Sequence, residues 1–190
     1  SFSSVTDDYI AIIDLATNKF ESKIELNATA NRILLENGKL YITEPYSNDK
    51  LLVVNPATKA LETPLTIGYS GDTMEAKDGI LYILRSPSAT SSEIIKVKLA
   101  DKSASKITIP QAQGRAGYLD VYNDKIYYTV NASTYAINVS APTAATTPIA
   151  TTTLSANGYI YGFAVNNDKI FVSDGGDFGS NSKAFIYNLS

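Results

Sequence analysis

The sequence predicts an all-β chain, a β-propeller of four-stranded antiparallel blades, on three observations. An aliphatic-aromatic step recurs as Leu40-Tyr41, Leu81-Tyr82, Ile126-Tyr127 and Ile170-Phe171, at intervals of 41, 45 and 44 residues. Each step follows a tight polar turn, respectively Asn37-Gly38-Lys39, Asp78-Gly79, Asn123-Asp124-Lys125 and Asn167-Asp168-Lys169, the residues that a hairpin needs for its left-handed corner. An apolar strand ending in a polar residue then follows in the same phase: Val53-Val54-Asn55, Ile95-Lys96-Val97-Lys98, Ala136-Ile137-Asn138 and Ile186-Tyr187-Asn188, with Ile12-Ile13-Asp14 before them. A unit of about forty residues holding several short strands and no helix has the pattern of a propeller blade.

The elements follow in order. Tyr9 to Asp14 and Lys23 to Leu26 are expected to be the third and fourth strands of a partial blade over 1–27. Three full blades are expected over about 28–68, 69–110 and 111–155. The first uses Arg32 to Leu35, Leu40 to Thr43, Leu51 to Val54 and Leu61 to Ile67. The second uses Thr73 to Ala76, Leu81 to Arg85, Ile94 to Lys98 and Lys106 to Ile109. The third uses Tyr118 to Val121, Ile126 to Thr129, Thr134 to Asn138 and Ile149 to Leu154. A last blade over 156–190 uses Tyr161 to Val165, Ile170 to Ser173 and Lys183 to Asn188. This phase favours the C-terminal four to five blades of a larger propeller over a closed four-bladed ring, because an isolated arc leaves sheet faces and edges open.

Composition narrows the function classes. The 190 residues are 44% hydrophobic, ordinary for a globular domain, and carry a formal net charge of -3, so no positive field draws a nucleic-acid backbone. No run of eighteen apolar residues is present to span a bilayer as a helix. With no histidine and no cysteine, the chain has no Ser-His-Asp triad, no thiolate nucleophile and no histidine-bound zinc. No cofactor is expected, and carboxylate pairs are the remaining catalytic option. Asp72 with Glu75 and Asp174 with Asp177 are the acidic pairs on expected loops. The latter, among glycines, is a candidate for a hard cation such as calcium.

Binding suits the loops better. Loops joining fourth to first and second to third strands gather on one face around a propeller axis. Here they carry Arg32, Tyr46, Tyr69, Asp72, Arg85, Arg115, Tyr118, Tyr159, Asp174, Asp177 and Phe178. Aromatic and arginine side chains offer large contact area and forked hydrogen bonding. Tyr46, Tyr69, Arg85, Arg115, Tyr118, Tyr159 and Phe178 are therefore the expected ligand or partner contacts, whereas Tyr41, Tyr82 and Tyr127 are expected to wedge between blades, a role equally open to Tyr118 and Tyr161.

The strand-turn units Ile12-Ile13-Asp14-Leu15-Ala16-Thr17-Asn18-Lys19 and Val53-Val54-Asn55-Pro56-Ala57-Thr58-Lys59 resemble the YVTN or YncE-like repeat of bacterial propellers, as does Leu40-Tyr41-Ile42-Thr43. Tyr161 to Val165, Ile170 to Asp174 and Ala184 to Asn188 look like the penultimate region of seven-bladed surface lipoproteins of Bacteroidetes, some of which capture cobalamin for a TonB-dependent transporter. That resemblance implies a non-enzymatic module at the cell surface or outer membrane, with the periplasm as second location. It would hold a small molecule or dock on an outer-membrane transporter or another surface protein. The chain has no Trp, unlike the ligand faces of the capture proteins, so the resemblance does not carry cobalamin itself. In the same bacteria the pattern Asp72-Thr73-Met74 would mark Thr73 as an O-glycosylation site.

Overall fold

Short apolar runs between turn signals fold into five antiparallel sheets in a computed structural model. It describes residues 8–44, 50–68, 71–88, 91–110, 114, 116–177 and 181–189. The first sheet pairs β1 (Tyr9–Asp14) with β2 (Lys19–Glu25). The first full blade is β3 (Arg32–Glu36), β4 (Lys39–Thr43), β5 (Lys50–Asn55) and β6 (Ala60–Thr66). The second is β7 (Met74–Lys77), β8 (Ile80–Ser88), β9 (Ser91–Lys98) and β10 (Ala104–Ile109). The third is β11 (Ala116–Tyr122), β12 (Lys125–Val130), β13 (Ser133–Asn138) and β14 (Ala150–Thr151). The fourth holds β15 (Ile160–Asn166), β16 (Lys169–Asp174) and β17 (Lys183–Asn188). The chain is thus all-β, in blades of the expected order.

Local chemistry accounts for the turns and for two departures. Asn37 and Gly38, and Asp78 and Gly79, all have positive φ, which a two-residue hairpin corner requires and which Asn, Asp and Gly tolerate. The expected fourth strand of the third blade shrinks to Ala150–Thr151. Pro148, just before it, has no N–H to give a ladder. Pro64 instead survives inside β6, an outer strand, where the register shifts between Leu51 and Val53 of β5.

The sheets pack face to face, each pair enclosing a separate core. Ile24, Leu26 and Ala28 meet Ile42, Leu52 and Val54. The opposite face of the first blade puts Tyr41, Leu51 and Val53 on Met74, Leu81, Ile83 and Ile95. Tyr82, Leu84 and Ile107 then meet Leu119, Ile126, Tyr128 and Ile137. Tyr127 joins Val165, Ile170 and Val172 in the last of these cores. Tyr41, Tyr82 and Tyr127 are all buried, the wedges that the sequence predicts. The two ends differ: Ile33 and Leu35 of β3 are 54% and 61% exposed, and Ile186 of β17 is 62% exposed.

Inner strands β3, β7, β11 and β15 stand side by side in succession, and the first three each reach the next blade through their last residue. Glu36 Oε1 accepts from the Gly79 N–H at 3.0 Å. Lys77 Nζ donates to the Asn123 carbonyl at 2.5 Å and pairs with Asp124. The Tyr122 hydroxyl lies 3.2 Å from Asp168 Oδ1 and accepts from the Asp168 N–H at 3.2 Å. Nearer the other end of the inner strands, Thr43 Oγ1 donates to the Asp72 carbonyl and Ser86 Oγ to that of Ala116. These bonds satisfy buried or turn backbone groups that packing alone would leave open.

Candidate functional site

Antiparallel order sends the turns 37–38, 78–79, 123–124 and 167–168 to one face and the connections before β7, β11 and β15 to the other. On the latter face, side chains from successive inner strands converge. Asn31 Nδ2 donates to Asp72 Oδ1 at 2.7 Å, and Arg32 Nε lies 3.8 Å from the same oxygen. Both charged side chains are about half exposed, at 53% and 54%. The Tyr118 hydroxyl donates to the Tyr161 carbonyl. The Tyr161 ring, 63% exposed, meets that of Tyr159 edge-on with centroids 5.9 Å apart. Burial pushes the Tyr118 phenol above its usual pKa, Arg32 opposes this, and Tyr161, Asp72 and Tyr159 add to it. Arg32, Asp72, Tyr118, Tyr159 and Tyr161 therefore share one electrostatic neighbourhood. The arrangement offers an exposed guanidinium and carboxylate beside an aromatic surface.

The structure sorts the expected residues. Tyr118 and Tyr159 come together in this cluster. Arg85 stands one strand further out on β8, half-buried, opposite Glu93 in the ladder. Tyr46, Tyr69, Arg115 and Phe178 lie outside the described residues. Tyr161 belongs to the surface and not to a blade-to-blade wedge.

Two of the expected site residues are set into the fold. Asp174 is 2% exposed, and its carboxylate accepts from the Ser155 N–H at 2.6 Å and the Gly176 N–H at 2.9 Å. These two amides hold its pKa below the usual carboxylate range. A Cβ at Gly158 would stand 2.4 Å from Asp174 Oδ1, so the loop closes on this carboxylate tightly. Asp174 ties the loop at Ser155 to the loop at Gly176 through these two bonds. Among the described residues, no three His, Cys, Asp or Glu side chains gather as a metal site, and Asp177 is exposed. Thr73 Oγ1, the atom that would carry a glycan, is buried without a hydrogen-bond partner, while the residue as a whole is half-buried.

The acidic pairing also differs from the expected one. Asp72 turns to Asn31 and Arg32, while Glu75 faces Asp120 of the next inner strand. Burial, then the Asp120 charge, pushes the Glu75 carboxyl up to about 7. Asp120 is raised by burial and opposed by the Val165 and Val121 amides, the former donating to Asp120 Oδ2 at 2.6 Å. The signal was in the repeat: Glu75 and Asp120 stand opposite Tyr82 and Tyr127, the same position in successive blades.

No family model matches the chain. No curated protein matches it either. Solved structures do. The extracellular domain of a putative one-component system, BT4673 of B. thetaiotaomicron, is similar at TM-score 0.66 and 15% identity, over 96% of this chain and 26% of that one. Sqt1 of Saccharomyces cerevisiae is similar at 0.64 and 17%, over 97% and 54%. The Hydrazine Synthase of Kuenenia stuttgartiensis is similar at 0.62 and 14%, over 87% and 49%. The chain spans 54% or less of the length of each. At these identities the likeness shows the fold, that of a β-propeller.

Proposed function

We propose that the chain is a non-enzymatic binding module whose inner-strand face, around Arg32, Asp72, Tyr118, Tyr159 and Tyr161, engages a partner protein or a small ligand. The observation that carries this reading is the convergence on one face of half-exposed Arg32 and Asp72 from the first and second blades, half-buried Tyr118 from the third and exposed Tyr161 from the fourth. Such side chains dominate recognition surfaces. In this reading the protein works at the cell surface or outer membrane, docked on a transporter or another surface protein. The likeness to an extracellular domain supports that location. The exposed apolar positions Ile33, Leu35 and Ile186 support a larger ring, seven-bladed by the sequence resemblance, of which this chain supplies four to five blades.

Photo-crosslinking in the source cells tests the face. A photoreactive side chain replacing Arg32 or Tyr161 is expected to trap the same partner from both positions. One replacing Ala57 on the opposite face serves as the control. Equal adducts from all three positions, or none from the first two, would remove this face from consideration.

A further inference from the structure

The repeat itself shows what one of its clefts is shaped to hold. Val53, Lys96, Ala136 and Ile186 occupy the same position in four blades, each opposite the aromatic step at Tyr41, Tyr82, Tyr127 and Phe171. Between the second and third blades, Lys96 fills the interface with its own side chain. Its ammonium sits 5.9 Å from the centre of the Tyr82 ring and donates to the Val139 carbonyl. Val139 follows the third strand just as Leu99 does one blade earlier: the Val139 N–H bonds to the Asp124 carbonyl and the Leu99 N–H to that of Gly79.

Between the first and second blades the lysine is replaced by Val53, and a cleft of 780 Å³ opens over Tyr41, Val53, Leu65, Leu99 and Gly79. The outer strand changes with it. Opposite Lys96 stands Ser105, and opposite Val53 stands Glu62. Glu62 is ionised below its usual pKa, chiefly through its bond to Lys39, and Glu36 and Asp78 also line the walls. Three carboxylates stand against the two ammoniums of Lys39 and Lys102. We propose that this cleft is a binding site for a primary alkylammonium, the group that Lys96 supplies intramolecularly one blade later. The alkyl stem would lie along Val53 and Leu65. The ammonium would reach the Tyr41 ring, the Leu99 carbonyl and Glu62, by cation-π and charge-assisted contacts. The repeat-equivalent cleft of 390 Å³ between the third and fourth blades, over Tyr127, Ala136 and Leu189, has no carboxylate among the described residues of its wall and serves as an internal control.

The test is a titration of the isotopically labelled 190-residue protein, read from amide chemical shifts, with n-butylammonium chloride and with n-butanol at matched ionic strength. Saturable shifts at Gly79, Leu99 and Ala100 with the cation alone are expected, and none at Leu189. Glu62→Gln is expected to weaken binding roughly tenfold, the scale of one charge-assisted bond. Val53→Lys, which installs the internal lysine, is expected to abolish it while the rest of the spectrum stays native. Equal shifts with butanol, no saturation, or an unchanged titration in folded Val53→Lys would overturn the proposal. N-acetyl-lysine methylamide and putrescine then separate the two sources of this chemistry. Preference for the first points to a lysine of a partner protein, and preference for the second to a free diamine.

Discussion

Tyr82 and Phe171 occupy one position of the repeat, yet the first is 1% exposed between two blades and the second is 37% exposed on the last blade. Their strands pair in the same register and follow the same turn chemistry. The difference is therefore tertiary: the strand forms from local pattern, and the aromatic side chain stabilises only where a neighbouring sheet covers it. Interior interfaces and end faces of one repeat array can thus be compared position by position within a single molecule.

The largest test of that comparison is truncation of the two rings. Tyr82→Ala is expected to cost about 3–5 kcal/mol, as large-to-small changes in packed cores do. Phe171→Ala is expected to cost about 1–2 kcal/mol, in keeping with its partial burial. Chemical denaturation of both variants measures the gap. Equal losses would mean that the last blade is covered in solution by something that buries Phe171.

A second test uses charge at an interior position. Glu75 is raised from 4.5 to about 7 in the folded protein, so the folded state binds more protons than the unfolded one between those values. Its stabilising share is complete below about pH 4.5 and is lost as pH rises through about 7. After solvent screening the loss is on the order of 1–2 kcal/mol. Glu75→Gln is expected to flatten the stability profile across that window. A profile identical to that of the parent protein would show that Glu75 does not titrate there.

The smallest effect concerns the inner-strand ends. Tyr122→Phe removes a hydroxyl bonded to Asp168 of the next blade and is expected to cost about 0.5–1.5 kcal/mol. Asn166, at the corresponding place on β15, is exposed. Asn166→Ala is expected to change stability by no more than about 0.5 kcal/mol. Thermal unfolding resolves the two, and a larger loss at Asn166 would reverse the comparison.

The fold was legible because its signals are local. The Leu-Tyr steps, the Asn-Gly and Asp-Gly corners and the forty-residue spacing fix strands and their phase without knowledge of distant partners. The site was legible only in part. Tyr118 and Tyr159 were readable from their place on a common face, but Tyr161 looked equally like a wedge, because nothing in its strand says which sheet face stays open. Asp72 and Glu75, three apart, read as a pair in sequence. In space one lies in a connection and turns to Arg32, while the other lies in a strand beside Asp120, 45 residues on. Asp174 and its glycines read as a cation loop, because a carboxylate that caps backbone amides and one that awaits a metal have the same sequence.

Among the described residues, a recurring bond from one blade to the next runs between a side chain of the earlier blade and the main chain of the later one: Glu36 with the Gly79 amide, Lys77 with the Asn123 carbonyl, Thr43 with the Asp72 carbonyl, Ser86 with the Ala116 carbonyl, Asp120 with the Val165 amide and Lys96 with the Val139 carbonyl. Main chain is the same in every blade. A duplicated blade inserted into such an array arrives already bearing the groups its predecessor needs, so the gene can lengthen by copying a segment before any residue has adapted to its new neighbour.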